Sequence, residues 1–286
     1  MQTILPRKTG FSLHSTATLL GSIAVLLGSQ GFIASSQAAA FVSDFNTLGT
    51  FATEYQVNNG SNLQQVTSGG LSGSGGVNLI SETGDSTAIF KNEVFDLSTG
   101  TPTLTISGYF LNQQGVAGGG AAGAFQLGFA AEQSTAFNGG SGYTFISARV
   151  RGEGSVEFQS GVNGSATNSG TSAGNLLVNG NWYFLTLSLT RLATLNTFSG
   201  QVSLSNSDST GAIGSPIATS SNPAITNALI YADPTTYVGF RAAGATIGGS
   251  GVNFVDNFAA TPEPGSAALL AIGALGLGGI RRRQTA

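Results

Sequence analysis

Apolar and polar residues alternate with a period of two along most of this chain, and that pattern restricts the fold more than any other feature. In Thr103-Leu-Thr-Ile-Ser-Gly-Tyr-Phe110, Leu104, Ile106 and Phe110 share one face while Thr103, Thr105 and Ser107 share the other. In Phe184–Thr190, Leu185, Leu187 and Leu189 stand opposite Thr186, Ser188 and Thr190, and from Phe198 to Leu204 the inward set is Phe198, Val202 and Leu204. Side chains of a strand point alternately to its two faces, so each stretch reads as a strand with one covered and one solvated side. Further strands are expected at 42–45, 77–80, 87–90, 124–129, 143–149, 237–241 and 252–258. No sustained helical period occurs outside the two terminal segments. Glycines cluster between the strands, at 69–76, 115–123, 139–142, 161–174 and 244–251, and read as turns and long loops without a fixed repeat. The 161–174 stretch has too little apolar surface to offset the entropy of ordering, and is expected as a loop. The pattern predicts one all-β domain over 41–260, two antiparallel sheets packed as a sandwich.

Composition removes most catalytic chemistry from that domain. The chain has no cysteine, and its one histidine, His14, precedes the strands. Thiol and imidazole nucleophile mechanisms, zinc sites built on His or Cys, and a disulfide frame are therefore excluded. Between Phe41 and Ala260 the basic residues are Lys91, Arg149, Arg151, Arg191 and Arg241, against twelve acidic ones, a balance of −7. Such a surface is unsuited to nucleic acid, and to an anionic polysaccharide held through a broad basic patch. Polarity comes mainly from Ser, Thr, Asn, Gln and Gly, a mix suited to presenting hydroxyl and amide groups to water or sugars.

The termini carry addresses. Arg7 and Lys8 precede an apolar stretch from Thr16 to Leu27, followed by the small residues Ser36-Gln-Ala-Ala-Ala40, the layout of a secretory signal peptide over 1–40. Signal peptidase and the general secretion machinery are the partners this implies. At the other end, Thr261-Pro262-Glu263-Pro264-Gly265 leads into an uncharged run of 16 residues ending at Ile280, then Arg281, Arg282 and Arg283. As a helix the run measures about 24 Å at about 1.5 Å per residue, short of a hydrocarbon core of about 30 Å but able to span with local thinning of the bilayer. The three arginines resist translocation and stay cytoplasmic, which places the domain outside the inner membrane.

These parts, Pro262-Glu263-Pro264, Ala267 to Ile280 and Arg281 to Arg283, resemble the PEP-CTERM sorting signal of Gram-negative, exopolysaccharide-producing bacteria. The resemblance covers 261–286. It implies a membrane protease of the exosortase type that cuts near the motif, with transient anchoring in the inner membrane and delivery to the cell surface or extracellular matrix. An ordinary C-terminal membrane anchor is the alternative. A second resemblance spans most of the domain. The opening Phe41-Val-Ser-Asp-Phe45, the segment Asn181-Trp-Tyr-Phe-Leu-Thr-Leu187 leading into Phe198-Ser-Gly-Gln-Val202, and the closing Tyr237-Val-Gly-Phe-Arg241 with Phe254-Val-Asp-Asn-Phe258 resemble the concanavalin A-like lectin/glucanase jelly roll. That likeness implies first and last strands lying side by side.

Within this frame Asp256 has the parity of Val252, Phe254 and Phe258, which points it toward the core side, where a carboxylate needs compensation. One reading is a structural calcium site with Asp44 and Asn257 as co-ligands, since Ca²⁺ takes carboxylate and carbonyl oxygen; the other is a carboxylate that caps a β-bulge or pairs with Arg241. Trp182, the only tryptophan, and Tyr183 are candidates for stacking on a sugar ring, against the alternative of strand packing; Tyr55, Tyr109, Tyr143 and Tyr231 are further aromatic candidates. Glycoside hydrolysis needs two closely placed carboxylates. Glu153 and Glu157 share a parity, but the compact Glu-x-Asp-x-x-Glu pattern typical of the glucanase branch is absent, and Glu157 reads as a solvent-facing strand residue. The expectation is an exported, non-enzymatic protein with a structural or adhesive role in exopolysaccharide or biofilm. The alternatives are a carbohydrate-binding, lectin-like module and, further off, a glycoside hydrolase.

Overall fold

A computed structural model describes residues 40–263 apart from 82–83, 101, 115–122, 138–141, 152–154, 164, 170–176 and 245–249. The signal-peptide and sorting-helix expectations, Glu153, Pro264 and Arg281 to Arg283 lie outside the described residues; among those described, no helix is long and apolar enough to cross a membrane. Among the described residues there are fifteen strands, β1 (Phe41–Ser43), β2 (Tyr55–Asn58), β3 (Leu63–Val66), β4 (Gly76–Leu79), β5 (Asp85–Phe90), β6 (Thr103–Gln114), β7 (Gly123–Ala130), β8 (Phe145–Arg151), β9 (Val156–Val162), β10 (Ser165–Ser169), β11 (Trp182–Arg191), β12 (Thr197–Ser207), β13 (Ile213–Thr226), β14 (Tyr237–Ala243) and β15 (Ser250–Pro262). Two single-turn helices, α1 (Thr50–Glu54) and α2 (Ala228–Ala232), sit in connections.

The strands form two sheets, wholly antiparallel. Sheet one runs β13-β12-β11-β6-β15-β4-β3, and sheet two runs β10-β9-β8-β7-β14-β5-β2. In sheet one, β15 lies between β6 on one side and β4 and β1 on the other, with β4 beside Phe254 and Val255 and β1 beside Phe258 to Ala260. The first and last strands are thus neighbours, as the jelly-roll resemblance implies. The three clearest sequence strands fall inside β6, β11 and β12, and their predicted inward residues are buried.

The interior joins the sheets through aromatic pairs. Phe110 of sheet one stacks on Phe125 of sheet two at 4.7 Å, Phe258 meets Phe240 at 5.5 Å, and Phe41 stacks on Phe90 at 4.0 Å. Each such pair adds about 0.5–1.5 kcal/mol beyond the area it buries. With no disulfide available, this apolar layer carries the cohesion of the sandwich.

The strands that periodicity missed are mostly at the margins. β13 contains Pro216 and Pro223 and is largely exposed, as an edge strand must be, since proline cannot donate to the ladder. β10 lies in the Gly161–Gly174 segment expected as a loop; it pairs with β9 from Ser165↔Val162 to Ser169↔Phe158, so backbone bonding supplies there what apolar burial does not.

Two glycines show how closely the strands pack. A Cβ at Gly239 would sit 2.3 Å from the Ala88 carbonyl oxygen of the neighbouring strand, whereas one at Gly108 would meet Leu127, Phe125 and Phe258 at 3.5–3.7 Å, ordinary contact. Gly239→Ala is expected to cost about 1–3 kcal/mol or more, because backbone must move. Gly108→Ala should stay within about 1 kcal/mol of the parent, since strand glycine already carries an entropic penalty relative to alanine. Denaturant midpoints of the two variants check this, and equal midpoints would contradict the packing described.

Candidate functional site

Alternation divides sheet two into a core face and an outer face. Val156 and Phe158, Ile146 and Ala148, Phe125 and Leu127, and Phe240 and Ala242 belong to the core, so the residues between them face outward. One register row crosses that outer face through Glu157, Arg149, Gln126, Arg241 and Thr87, on β9, β8, β7, β14 and β5. The next row contains Gln159 and Ser147.

Hydrogen bonds knit these side chains together. Arg149 Nε donates to Glu157 Oε1, and Arg151 donates to Glu157 Oε2 at 2.9 Å. Arg241 Nε donates to Asp85 Oδ2 at 2.8 Å, while its Nη1 donates to Gln126 Oε1 at 3.3 Å. Gln126 Nε2 in turn donates to Gln159 Oε1 at 3.1 Å. The result is a chain of groups from β5 to β9 in which each amide is oriented by its neighbour. The Glu157 side chain is 1% exposed, while those of Arg149, Arg151 and Asp85 retain 14%, 18% and 19%. Glu157 is therefore not the solvent-facing residue expected from the sequence; β8 and β9 pair so that two guanidiniums enclose it.

The other half of the outer face is apolar. Ile89, Ala130, Phe137 and Phe145 form a small cluster of their own, with the half-buried Tyr143 and Tyr237 packed against it. The segment after β7 lies over this half: Phe137 N–H donates to Thr87 Oγ1, and Asn58 Nδ2 donates to the Gln133 and Thr135 carbonyls at 2.6 and 3.0 Å. A partly accessible tyrosine pair and a polar row thus share one face. Tyr237 and Arg241 on β14 are four residues apart, about 13 Å at roughly 3.3 Å per residue.

The expected stacking residues fall elsewhere. Tyr183 is fully buried in the core and its hydroxyl accepts from Val178 N–H; Trp182 faces the outside of sheet one but is only 7% exposed. Neither ring is presented to solvent. Tyr55 is in the core, Tyr109 packs on Phe184 at 4.5 Å and donates to the Gly211 carbonyl, and Tyr231 lies under Arg191, whose guanidinium carbon is 3.7 Å from the ring centre. Of the tyrosines named from sequence, Tyr143 alone joins the outer face of sheet two, and Tyr237 was missed because its strand-start position resembles ordinary packing.

Asp256 is buried, but not on the core face. Bulges between Val252 and Phe254 and between Asp256 and Ala259 shift the register twice. Val252, Val255 and Phe258 therefore point inward while Asp256 points out of sheet one, beneath the 69–75 segment. There its Oδ2 accepts from Leu71 N–H at 2.8 Å and Ser74 Oγ at 3.2 Å, and its Oδ1 accepts from Asn257 N–H at 2.7 Å. The approach requires Gly70, where a Cβ would lie 2.6 Å from Oδ2 and 2.1 Å from the Gly75 carbonyl oxygen. Arg241 pairs with Asp85 on the opposite sheet, not with Asp256. The residues do not fit calcium: no cluster of three His, Cys, Asp or Glu side chains occurs among the described residues, and both Asp256 oxygens are engaged by donors that a cation would displace. Asp44 is exposed and accepts from Asn46 N–H, and Asn257 adopts φ +46° at the second bulge. The arrangement is a bulge cap, one of the two readings of the sequence.

Burial pushes the Asp256 carboxyl above its ordinary value of 3.8; the Leu71 and Asn257 N–H groups and the Ser74 hydroxyl pull the other way, and nearby Asp44 adds to the rise. The folded state holds this proton more tightly than the unfolded chain does. The stability it supplies is present below about pH 3.8 and lost as pH climbs through the raised value. Asp256→Asn should cost about 1–3 kcal/mol at neutral pH, because an amide leaves one donor of the cap unpaired, and should flatten that pH dependence. Denaturation at pH 4 and pH 7 checks both, and an unchanged slope would exclude the cap.

No family model and no curated protein sequence matches this chain. Among solved structures it is similar to a peanut lectin in complex with a nine-residue peptide, with 13% identity over 80% of this chain and 100% of the lectin and a TM-score of 0.50. It is equally similar to lectin UEA-II complexed with galactose, at 13% identity, the same coverage and 0.50. The basic winged bean lectin with Tn-antigen gives 14% identity, the same coverage and 0.50. At such identity the likeness establishes the fold: an all-β, two-sheet, concanavalin A-like sandwich.

Proposed function

We propose that this chain is an exported carbohydrate-binding β-sandwich that acts in exopolysaccharide at the cell surface, rather than a passive matrix component. The observation that carries the reading is the outer face of sheet two, where the hydrogen-bonded row of Glu157, Arg149, Gln126, Arg241 and Asp85 lies beside Tyr143 and Tyr237. The partly exposed Arg149, Arg151 and Asp85 can bond sugar hydroxyls while the buried Glu157, Gln126 and Arg241 orient them, and a tyrosine face covers the apolar side of a ring. The separation between the two favours an oligosaccharide over a single sugar. The fold likeness to lectins, two of them in complexes named for galactose and Tn-antigen, supports the same class of ligand. In native gels cast with polysaccharide the domain should migrate more slowly than in plain gels, and Tyr143→Ala or Tyr237→Ala should reduce that retardation. Unaltered mobility across a broad panel of glycans would overturn the reading.

Delivery through an exosortase-type protease is the second part of the proposal. It rests on Pro262-Glu263-Pro264 and the apolar and arginine segments behind it. β15 continues to Pro262, which is in register with Leu104, and Glu263 N–H donates to the Thr103 carbonyl at 2.9 Å. A protease needs its substrate strand free of other pairing, which disfavours a cut before Glu263. Mass spectrometry of the protein recovered from its own host should find a C-terminal peptide ending beyond Glu263 and short of Ala286. A chain intact to Ala286 would make the tail a permanent anchor.

A further inference from the structure

The charges on the outer face of sheet two are unevenly used. Among the described residues, three of the five basic residues between Phe41 and Ala260 stand there, Arg149, Arg151 and Arg241, against two carboxylates, Glu157 and Asp85. The described groups of this half-face have a balance of +1 in a domain whose total is −7. Glu157 has a guanidinium on each oxygen, and Arg241 is committed to Asp85 and Gln126. Arg149 differs: among the described residues its hydrogen bonding stops at Nε, and its side chain keeps 14% exposure. In the adjoining row the Ser147 hydroxyl is fully buried and has no hydrogen-bond partner among the described residues. Burial weakens the hold of Arg149 on its proton; Glu157 opposes this, and Arg151 and Arg241 add repulsion. Surroundings that hold three cations with two anions are relieved by one more anion.

We propose, building on the carbohydrate-binding reading, that the sugar unit held at Arg149 carries a carboxylate, so that the ligand is a uronate-containing polysaccharide. The two terminal amino groups of a guanidinium match the two oxygens of a carboxylate in a planar, bidentate contact, which a neutral hydroxyl does not reproduce. The contact needs one guanidinium in a semi-enclosed setting and no broad basic patch, so it agrees with an acidic domain.

The test uses the domain with oligomers of galacturonate, glucuronate and mannuronate, and with the same oligomers after carboxyl reduction, by isothermal calorimetry at low and moderate salt. Binding of an acidic oligomer at least tenfold tighter than its reduced counterpart, weakening with salt, is the expected result. Arg149→Lys should keep the charge beside Glu157 and the fold, shown by an unchanged melt, yet lose about tenfold in affinity for the acid and distinctly less for its reduced counterpart. Equal binding of acidic and reduced oligomers overturns the carboxylate assignment and leaves carbohydrate binding standing. Unchanged affinity in Arg149→Lys overturns the role of the guanidinium fork. No binding of any oligomer, acidic or neutral, overturns both proposals.

Discussion

The closing strand governs this architecture. β15 is the last strand in the sequence and an interior one in sheet one, with β6 along one edge and β4 and β1 along the other. Sheet one is therefore incomplete until residues 250–262 arrive, and the pairings they make span nearly the whole domain in sequence. Folds built on such distant contacts pay loop-closure entropy early and assemble slowly. The same strand places Phe258 against Phe240 of the other sheet and carries Asp256, whose carboxylate ties down the 69–75 segment. One strand thus links the two sheets, the first strand and a covering loop. It also runs directly into Pro262 and Glu263, so the start of the proposed sorting motif is held by the fold rather than by a linker.

Legibility in the sequence followed burial. Leu104, Ile106, Leu185, Leu187, Leu189, Val202 and Leu204 were readable because interior strands of a sandwich have one apolar and one polar face. β13 was not, since an exposed edge strand with two prolines has nothing to bury and keeps no alternation. β9 failed for a different reason. It is buried on both sides, with Val156 and Phe158 toward the core and Glu157 and Gln159 under partners on the outer face, so its polar residues resemble solvated ones. Asp256 was found as a buried carboxylate needing compensation, but its direction was misread: parity counting assumes a regular strand, and two bulges in β15 reverse it twice.

The candidate site was legible only in fragments, because it is a property of register rather than of spacing. Asp85, Gln126, Arg149, Glu157 and Arg241 come from five strands, and nothing in their order along the chain signals that antiparallel pairing sets Glu157 opposite Arg149 and Gln126 opposite Arg241. The aromatic clue pointed the wrong way. Trp182 is conspicuous by composition, yet it is only 7% exposed, while the less conspicuous Tyr143 and Tyr237 lie on the face that carries the charges.

The energetics of that face argue for its use. Drawing charged groups out of water is expensive, and a buried ion pair is seldom more stable than apolar residues of similar volume in its place. The neighbouring half of the same face shows the apolar solution, with Ile89, Ala130, Phe137 and Phe145 covered by their own segment. Had stability been the only demand, the Glu157 row could have been closed in the same way. Instead, a chain with only five basic residues in its domain places three on this half-face and orients them through Glu157, Asp85 and Gln126. Groups fixed in this way lose little freedom when a ligand arrives, which lowers the entropic cost of binding. A cost borne in the free protein and recovered on binding is the economy expected of a recognition surface.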